Sequence, residues 1–247
     1  MSSPRKSAVP SQPSRLMLTG LCAAVLLAGM IGALWHSTSR ADEAAVLVPA
    51  PTVDQPLAAG DPQTAVLAGG CFWGMQGVFQ HVKGVRQVLA GYSGGEKATA
   101  SYEEVSSGET GHAESVEITF DPAQISYGEI LRIFFSVAHD PTELNRQGPD
   151  EGTQYRSAIF YGDAGQQRIA QAYIAQLDGA HVFGSPIATR VDPLKGFFPA
   201  EAYHQDFLIH TPTYPYIVFN DLPKIADLKQ LFPDAYREQP VTVAATQ

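Results

Sequence analysis

Strand-like apolar segments and segments with helical spacing alternate from residue 64 to residue 237, and this alternation restricts the fold more than any other feature. Four segments have the length and residue content of strands, and a fifth is shorter. The predicted strands are "TAVLAGG" (64–70), "VRQVLAGY" (85–92), "HAESVEITF" (112–120), "YRSAIFY" (155–161) and "PIATRV" (186–191). The predicted helices are "CFWGMQGVFQHVKG" (71–84), "ISYGEILRIFFSVAH" (125–139), "DAGQQRIAQAYIAQLDG" (163–179), "AEAYHQDFLIH" (200–210) and "PKIADLKQLFP" (223–233).

Two of these helices have recognisable first residues. Ser126 and Glu129 fit a capping box, and Asp163 fits an N-cap. The order strand–helix–strand occurs twice, which is the split βαβ pattern of a ferredoxin-like fold. We therefore predict an α+β domain, namely a ferredoxin-like two-layer α/β sandwich with a mixed sheet and a C-terminal helical extension.

The N-terminus has the composition of a targeting segment. Three basic residues precede the uncharged run "LMLTGLCAAVLLAGMIGALW" (16–35), which is about long enough to span a bilayer. Basic residues before such a run are typical of an export signal or a membrane anchor. Ser39 and Ala41 fit a signal-peptidase site. Residues 1–41 are therefore expected to be a cleaved signal peptide or a retained anchor, which places the rest of the chain in a bacterial periplasm or cell envelope.

Composition divides the remainder of the chain. Residues 42–63 are rich in Ala and Pro and are predicted to be a linker, residues 64–237 form the domain, and residues 238–247 form a disordered tail. Hydrophobic residues make up 45% of the sequence, which is enough for a packed core. The net charge of −9 argues against nucleic-acid binding, which needs clustered Lys and Arg. We expect a monomer that meets a membrane only through its N-terminal segment.

One of the two cysteines, Cys71, lies where an apolar strand ends and a helix begins, in "LAGGCFWGMQG". The helix dipole and the free backbone N–H groups at that position stabilise a thiolate, so we predict a lowered pKa for Cys71. The flanking glycines allow close approach of a substrate, and Phe72 and Trp73 can form an apolar wall. The same residues also fit a small core cysteine beside two core aromatic residues, and the local pattern does not choose between these interpretations.

Glu114 is the second candidate for chemistry. It shares one face of "AESVEITF" with three apolar residues, because side chains two positions apart in a strand point the same way. Burial on that face would raise the pKa of the carboxyl group, and a neutral carboxylic acid beside a thiolate provides a general acid and a nucleophile together. The alternative is that Glu114 lies at a frayed strand start and reaches water.

Other polar residues give weaker signals. His112, His139 and His204 are potential bases or ligands, but no two have metal-ligand spacing and the chain has no cysteine pair, so no metal site is expected. The polar segment "NRQGPDEGTQYR" carries Asp150 and Tyr155. Loops of this kind often carry function on a rigid scaffold, although most polar loops are only solvated.

Four motifs in a fixed order resemble the A-type peptide methionine sulfoxide reductases, the MsrA family. They are "GCFWG", "SYEEVSSGETGHAESVEITFDP", "HDPTELNRQGPDEGTQYRSAIFY" and "AEAYHQDFL", and the resemblance extends from about Thr64 to His210. It implies a ferredoxin-like α/β fold with additions. It also implies a repair oxidoreductase that converts methionine S-sulfoxide, free or in oxidised proteins, to methionine.

The resemblance implies a role for each motif residue. Cys71 attacks the sulfoxide sulfur, and Glu114 protonates the sulfoxide oxygen, which is a poor leaving group until it is protonated. The products are methionine and a sulfenic acid on Cys71. The implied substrate-binding residues are Phe72 and Trp73 around the S-methyl group, Tyr102 and Tyr155 near the oxygen, and Asp150, which helps to order the site.

The sequence departs from the family pattern at two points. Many members resolve the sulfenic acid with a C-terminal cysteine, whereas this chain has no cysteine after Cys71, and Cys22 belongs to the apolar N-terminal run. The chain therefore resembles a one-cysteine form that has no bound cofactor and takes electrons from thioredoxin or another external thiol. Gln76 stands where many members have Glu.

Two other kinds of function fit parts of the pattern. A thiol peroxidase would need Arg or Thr near the thiolate, and a Cys–His acyl-transfer enzyme would need His112 or His139 as its base. A non-enzymatic envelope protein would use its aromatic residues to bind Met-rich or apolar peptides, and that binding should survive Cys71→Ser.

Overall fold

The computed structural model describes residues 45–243, in which strands and helices follow the predicted order. Within that range the strands are β1 (Gln63–Ala68), β2 (Val85–Ser93), β3 (Ala113–Phe120), β4 (Arg146–Gln147), β5 (Asp150–Glu151), β6 (Ala158–Tyr161), β7 (Arg190–Pro193) and β8 (Phe197–Pro199). The helices are α1 (Phe72–Gln80), α2 (Tyr102–Val105), α3 (Tyr127–Ile133), α4 (Ala164–Gly179), α5 (Phe207–His210) and α6 (Leu222–Leu231). A π-helical turn over Phe134–Ala138 continues α3, and another over Ile217–Asp221 leads into α6.

The main sheet has the strand order β7-β6-β1-β3-β2-β8. Its four middle strands, β6-β1-β3-β2, are antiparallel to one another, and α1 and α3 lie in the two strand–helix–strand connections. At one edge β7 pairs with β6 in parallel, and at the other edge β8 pairs with β2 antiparallel. The predicted ferredoxin-like sandwich with a mixed sheet and a C-terminal helical extension is confirmed.

The core lies between the sheet and its helices. Alternate residues of β1 and β3, such as Leu67, Val116 and Ile118, point into one large apolar cluster that also contains side chains from α1, α3, α4 and α6. The other face of the sheet carries a small cluster around Val66 and Phe160. This asymmetry follows from the period of two in a strand, since each strand presents one set of side chains to the helices and the other set away from them.

Several predicted boundaries shift where the backbone turns. β6 begins at Ala158 because Thr153–Tyr155 form a 3₁₀ turn, and β7 begins at Arg190. The predicted helix over residues 200–210 is a 3₁₀ turn followed by the short α5. Asp206 separates the two pieces because its backbone is left-handed, with φ of 55°, which a continuous helix does not allow.

The Ala/Pro-rich segment predicted as a linker is part of the domain from residue 45 onward. It contains no helix or strand before β1, but Val48 is fully buried. The amide of Val46 donates to the carbonyl of Ser136 at 3.0 Å, and the hydroxyl of Tyr173 donates to the carbonyl of Pro49 at 2.6 Å. Composition indicated the lack of regular structure correctly, but it did not reveal that the valines among the prolines would cover the helices.

Asp54 ties this segment to the start of α3. Its carboxylate accepts hydrogen bonds from the hydroxyl of Ser126 at 2.5 Å and from the amide of Gly128 at 2.9 Å. Ser126 is the N-cap of α3 as predicted, since its hydroxyl accepts from the amide of Glu129 at 3.1 Å. Asp163 likewise caps α4. Two free backbone N–H groups in the first turn of α3 therefore have acceptors, one in the side chain of Ser126 and one in the side chain of Asp54.

Part of the predicted disordered tail is also held against the domain. The amide of Val241 donates to the carbonyl of Gln80 at 3.0 Å, and the amide of Val243 donates to Asp206 at 2.9 Å. The tail prediction is therefore wrong for residues 238–243. The predicted signal or anchor segment lies outside the described residues, and none of the helices in residues 45–243 has the length and apolar character needed to cross a bilayer.

We predict that Asp54→Ala lowers the free energy of unfolding by about 1 kcal/mol, the usual effect of losing a helix-capping acceptor. The measurement is urea denaturation of the full chain. The control is Asp61→Ala, since Asp61 lies exposed in the same segment. Equal stability of the two variants would mean that the hydrogen bonds of Asp54 contribute nothing to the stability of the fold.

Candidate active site

Cys71 occupies the N-cap position of α1, directly after the glycine turn that ends β1. Gly70 has φ of 86°, and a Cβ there would come within 2.6 Å of the side chain of Gln147, so only glycine fits this turn. Cys71 is a free cysteine and remains partly exposed. The turn therefore presents a reachable thiol at the start of a helix, as the sequence predicts.

Glu114 lies beside Cys71 on the neighbouring strand. Only 4% of Glu114 is exposed, and it pairs with Tyr92 within the β2–β3 ladder, so the prediction of a buried carboxyl is confirmed and the frayed-start alternative is wrong. Its Oε2 atom accepts a hydrogen bond from the amide of Phe72 at 3.0 Å. This bond connects the start of β3 to the first residue of α1 and fixes the carboxyl group next to the thiol.

The environment of Glu114 favours its neutral form. Burial is the largest cause, and the hydrogen bond from the Phe72 amide opposes it. The negative charges of Asp150 and Asp221 add to the effect of burial, and together these influences raise the pKa of Glu114 to about 8. At neutral pH the carboxyl group is therefore largely protonated and can donate a proton.

The predicted lowering of the Cys71 pKa is wrong. Burial raises the pKa of the Cys71 thiol well above its usual value, and the charges of Glu114 and Asp221 raise it further. A hydrogen bond with the Trp73 backbone lowers the pKa but does not outweigh these causes. Glu114 raises the pKa of Cys71 only when its carboxyl group is ionised. Protonation of Glu114 therefore lowers the free-energy cost of forming the Cys71 thiolate.

Phe72 and Trp73 lie in a cluster of aromatic rings beside the thiol. The indole N–H of Trp73 donates to Nδ1 of His204 at 3.1 Å, and the indole ring stacks on Phe207 with centroids 3.9 Å apart. Phe72 is buried, and its ring centroid lies 5.0 Å from that of His204. His204 packs against both predicted wall residues, whereas from the sequence it was only a potential base or ligand.

Tyr102, Tyr155 and Asp150 also come to this site. Burial is the main cause that raises the pKa of both phenols, and the charge of Glu114 is the next, which places both near that carboxyl group. Asp150 accepts a hydrogen bond from the hydroxyl of Tyr216, and its charge acts on both Glu114 and Cys71. The structure therefore brings together the residues to which the resemblance gave a role in catalysis or substrate binding.

Two further site residues come from the C-terminal region. Asp221 is 1% exposed, and its carboxylate lies so close to Gly74 that no larger residue fits there. Tyr216 holds Asp150, and its ring meets that of Trp73 edge-on at 6.0 Å. No motif marks these residues, since they lie more than 140 positions after Cys71 and reach it only through the tertiary fold.

Gln76 holds the loop that carries His204. Its Nε2 donates to the carbonyl of Val88 at 2.9 Å and to the side chain of Gln205 at 3.1 Å. Its Oε1 accepts from the amide of Asp206 at 2.8 Å. A carboxylate has no N–H to give to the Val88 carbonyl, so the amide at this position serves a buried network that joins α1, β2 and the loop before α5.

The histidines proposed as bases have other partners. Both ring nitrogens of His139 are engaged, with the carbonyl of Phe134 at 3.1 Å and the hydroxyl of Ser157 at 2.7 Å. The ring nitrogens of His112 bond to backbone groups of Gly95 and Glu96. Within residues 45–243 no cluster of metal-binding side chains is present. The geometry does not favour a Cys–His acyl-transfer enzyme.

Comparisons with known proteins identify the family of this chain. The family model "Peptide methionine sulfoxide reductase" matches residues 63–235. "Peptide methionine sulfoxide reductase MsrA 2" of Mesorhizobium japonicum is 61% identical over 191 residues, which cover 77% of this chain and 97% of the relative. The protein of the same name from Synechocystis is 52% identical, over 78% of this chain and 92% of the relative.

Solved structures show the same fold. The reduced form of Mxr1 from Saccharomyces cerevisiae has a TM-score of 0.56 and 31% identity, covering 66% of this chain and 92% of that chain. Methionine sulfoxide reductase A of Corynebacterium diphtheriae has a TM-score of 0.54 and 30% identity, covering 70% and 91%. The chain therefore belongs to the peptide methionine sulfoxide reductase family, and its activity is the reduction of methionine sulfoxide with electrons from a thiol.

Proposed function

We propose that Cys71 is the nucleophile and Glu114 the general acid when this chain reduces methionine S-sulfoxide. The observation that carries the proposal is the buried Glu114 carboxyl, which is hydrogen-bonded at 3.0 Å to the amide of the residue after Cys71. A thiol and a neutral carboxylic acid placed side by side provide the two groups that sulfoxide reduction needs.

The two groups act on different atoms of the sulfoxide. Oε2 of Glu114 accepts the Phe72 amide, which leaves Oε1 to carry the proton that passes to the sulfoxide oxygen. The Cys71 thiolate attacks the sulfoxide sulfur and forms a transient sulfur–sulfur bond while the oxygen takes the Glu114 proton. That bond and the bond between the methionine sulfur and the oxygen then break as the hydroxyl group passes to the Cys71 sulfur, which leaves methionine and a Cys71 sulfenic acid. Methionine gains two electrons and the thiol loses two.

The surrounding side chains orient the substrate. Phe72 and Trp73 provide an apolar wall for the S-methyl group, and the hydroxyls of Tyr102 and Tyr155 hydrogen-bond near the oxygen. Asp150, held by Tyr216, keeps a negative charge close to Glu114 and so supports its protonated state. These contacts restrict how the methyl group and the oxygen can be placed, so the enzyme should distinguish the two epimers of the sulfoxide.

An external thiol must regenerate the enzyme, because no cysteine follows Cys71 in the chain. A thioredoxin-like protein or a small thiol would attack the sulfenic sulfur, release water and form a mixed disulfide, which a second thiol then reduces. We further propose that the N-terminal segment exports or anchors the enzyme in the cell envelope. Thiols are scarce there, so a dedicated reductant is needed.

Neither rival function is supported by a contact in the described residues. A thiol peroxidase would need Arg or Thr close to the thiolate, whereas the charged neighbours that act on Cys71 are the acids Glu114, Asp221 and Asp150. A pure binding protein would have no need for a protonated carboxyl group beside its cysteine.

We predict that Glu114→Gln slows the first turnover about 10²–10⁴-fold at pH 7, because the amide keeps the bond to Phe72 but has no proton to transfer. The reactive enzyme needs the Cys71 thiolate together with protonated Glu114, and the pKa of Cys71 is raised well above its usual value. The parent rate should therefore rise with pH up to about 8 and level off above it, where folded Glu114 loses its proton, whereas the residual rate of the variant should keep rising. The measurement is rapid-quench formation of methionine from N-acetylmethionine S-sulfoxide between pH 5 and 9.

The matched control is Glu117→Gln, which changes a partly exposed carboxyl group on the opposite face of the same strand. Its rate should equal that of the parent at every pH. A Glu114→Gln enzyme as fast as the parent throughout this range would remove Glu114 from the mechanism.

We also predict that the oxidised enzyme stops at the sulfenic acid when no reductant is present. One equivalent of methionine should form per site, and dimedone should then label Cys71, because no second thiol lies after it in the chain. Intact-mass spectrometry of a single-turnover mixture measures both, and Cys71→Ser should give neither product nor label. A second equivalent of methionine without reductant would contradict the account.

A further inference from the structure

Three tyrosines around the site expose much of their surface. Tyr102 is 37% exposed, Tyr203 is 63% exposed and Tyr214 is 48% exposed. We call these three residues the aromatic rim. Single exposed apolar residues are ordinary, but several large exposed rings gathered at one place mark an interaction surface.

The aromatic rim is continuous with the wall of the substrate pocket. The ring of Tyr214 meets that of Trp73 edge-on, with centroids 6.2 Å apart. The rings of Tyr102 and Tyr203 lie 4.6 Å and 4.2 Å from that of His204, which itself accepts the Trp73 indole N–H. Tyr214 therefore contacts Trp73 directly, and Tyr102 and Tyr203 are each connected to it through His204.

The surrounding contacts hold two residues of the aromatic rim, Tyr102 and Tyr214, in place. The amide of Tyr102 donates to Glu201 at 2.9 Å. The amide of Tyr214 donates to the carbonyl of Thr211 at 3.0 Å, and its ring packs edge-on against Phe207. A surface that is already ordered loses little conformational entropy when it binds, so contact with it contributes efficiently to affinity.

We propose that the aromatic rim binds the apolar side chains that flank an oxidised methionine in an unfolded or extended polypeptide. The inference rests on the proposed function, because a methionine side chain that reaches Cys71 must leave its neighbouring residues at the mouth of the pocket. Tyrosine rings offer apolar area to those neighbours together with a polar edge toward water. Folded proteins bury most of their apolar residues, so such segments become available mainly in damaged or unfolded chains.

The test compares three substrates in the full-length chain with dithiothreitol as reductant. They are acetylated tripeptide amides with methionine S-sulfoxide between two leucines or between two serines, and N-acetylmethionine S-sulfoxide. The parent should have its highest kcat/KM for the leucine peptide. Tyr203→Ser and Tyr214→Ser should each lower that value about five- to tenfold, mainly through KM, and should change the other two substrates by less than about twofold.

Two controls accompany these variants. Tyr203→Phe keeps the ring and should keep the preference for leucine. Leu57→Ser removes an equally exposed apolar side chain near Pro122, at the opposite end of β3 from Glu114 and roughly 20 Å away, and should change nothing.

Three results would overturn the proposal. They are an equal loss on all three substrates, no loss on the leucine peptide, and a loss that appears only when thioredoxin replaces dithiothreitol, which would assign the surface to the reductant. Failure of the proposed catalytic roles would be seen separately, as undiminished turnover of N-acetylmethionine S-sulfoxide by the Cys71 or Glu114 variants.

Discussion

The site depends on one hydrogen bond, from the backbone amide of Phe72 to the carboxyl group of Glu114. The split βαβ topology brings the first turn of α1 and the start of β3 to the same end of the sheet, and this bond fixes their separation. The helix start alone would favour an ionised carboxylate. Burial and the charges of Asp150 and Asp221 outweigh this effect of the helix, so Glu114 keeps its proton. The Cys71 thiol therefore has no ionised Glu114 carboxylate beside it.

The C-terminal region closes the site without a cysteine. His204 receives the Trp73 indole, Tyr216 holds Asp150, and Asp221 packs over Gly74 beside the thiol. Gln76 bonds to the segment that carries His204, so the helix that begins at Cys71 also secures the opposite wall. These residues of the C-terminal region form a fixed wall of the pocket.

Local patterns predicted much of this arrangement. Strand alternation placed Glu114 on the buried face, and the capping residues Ser126 and Asp163 marked real helix starts. The Cys71 pKa was predicted in the wrong direction because a helix start is a local feature, whereas burial and the nearby acids arise only from the tertiary fold. Asp221 was missed for the same reason. The packing of residues 45–62 was not predicted, because composition indicates that a segment forms no helix or strand but does not indicate whether it packs against the rest of the domain.

The most direct test of the account is the ionisation of Glu114 in the folded, reduced enzyme. Carbon-13 NMR of the protein labelled at the glutamate carboxyl groups, with Glu114→Gln to identify the signal, measures the pKa of this residue alone. The account predicts a midpoint near 8, because burial and two neighbouring acids oppose the charge. A midpoint at the ordinary value of about 4.3 would mean that Glu114 is ionised at neutral pH, and would contradict its role as the acid.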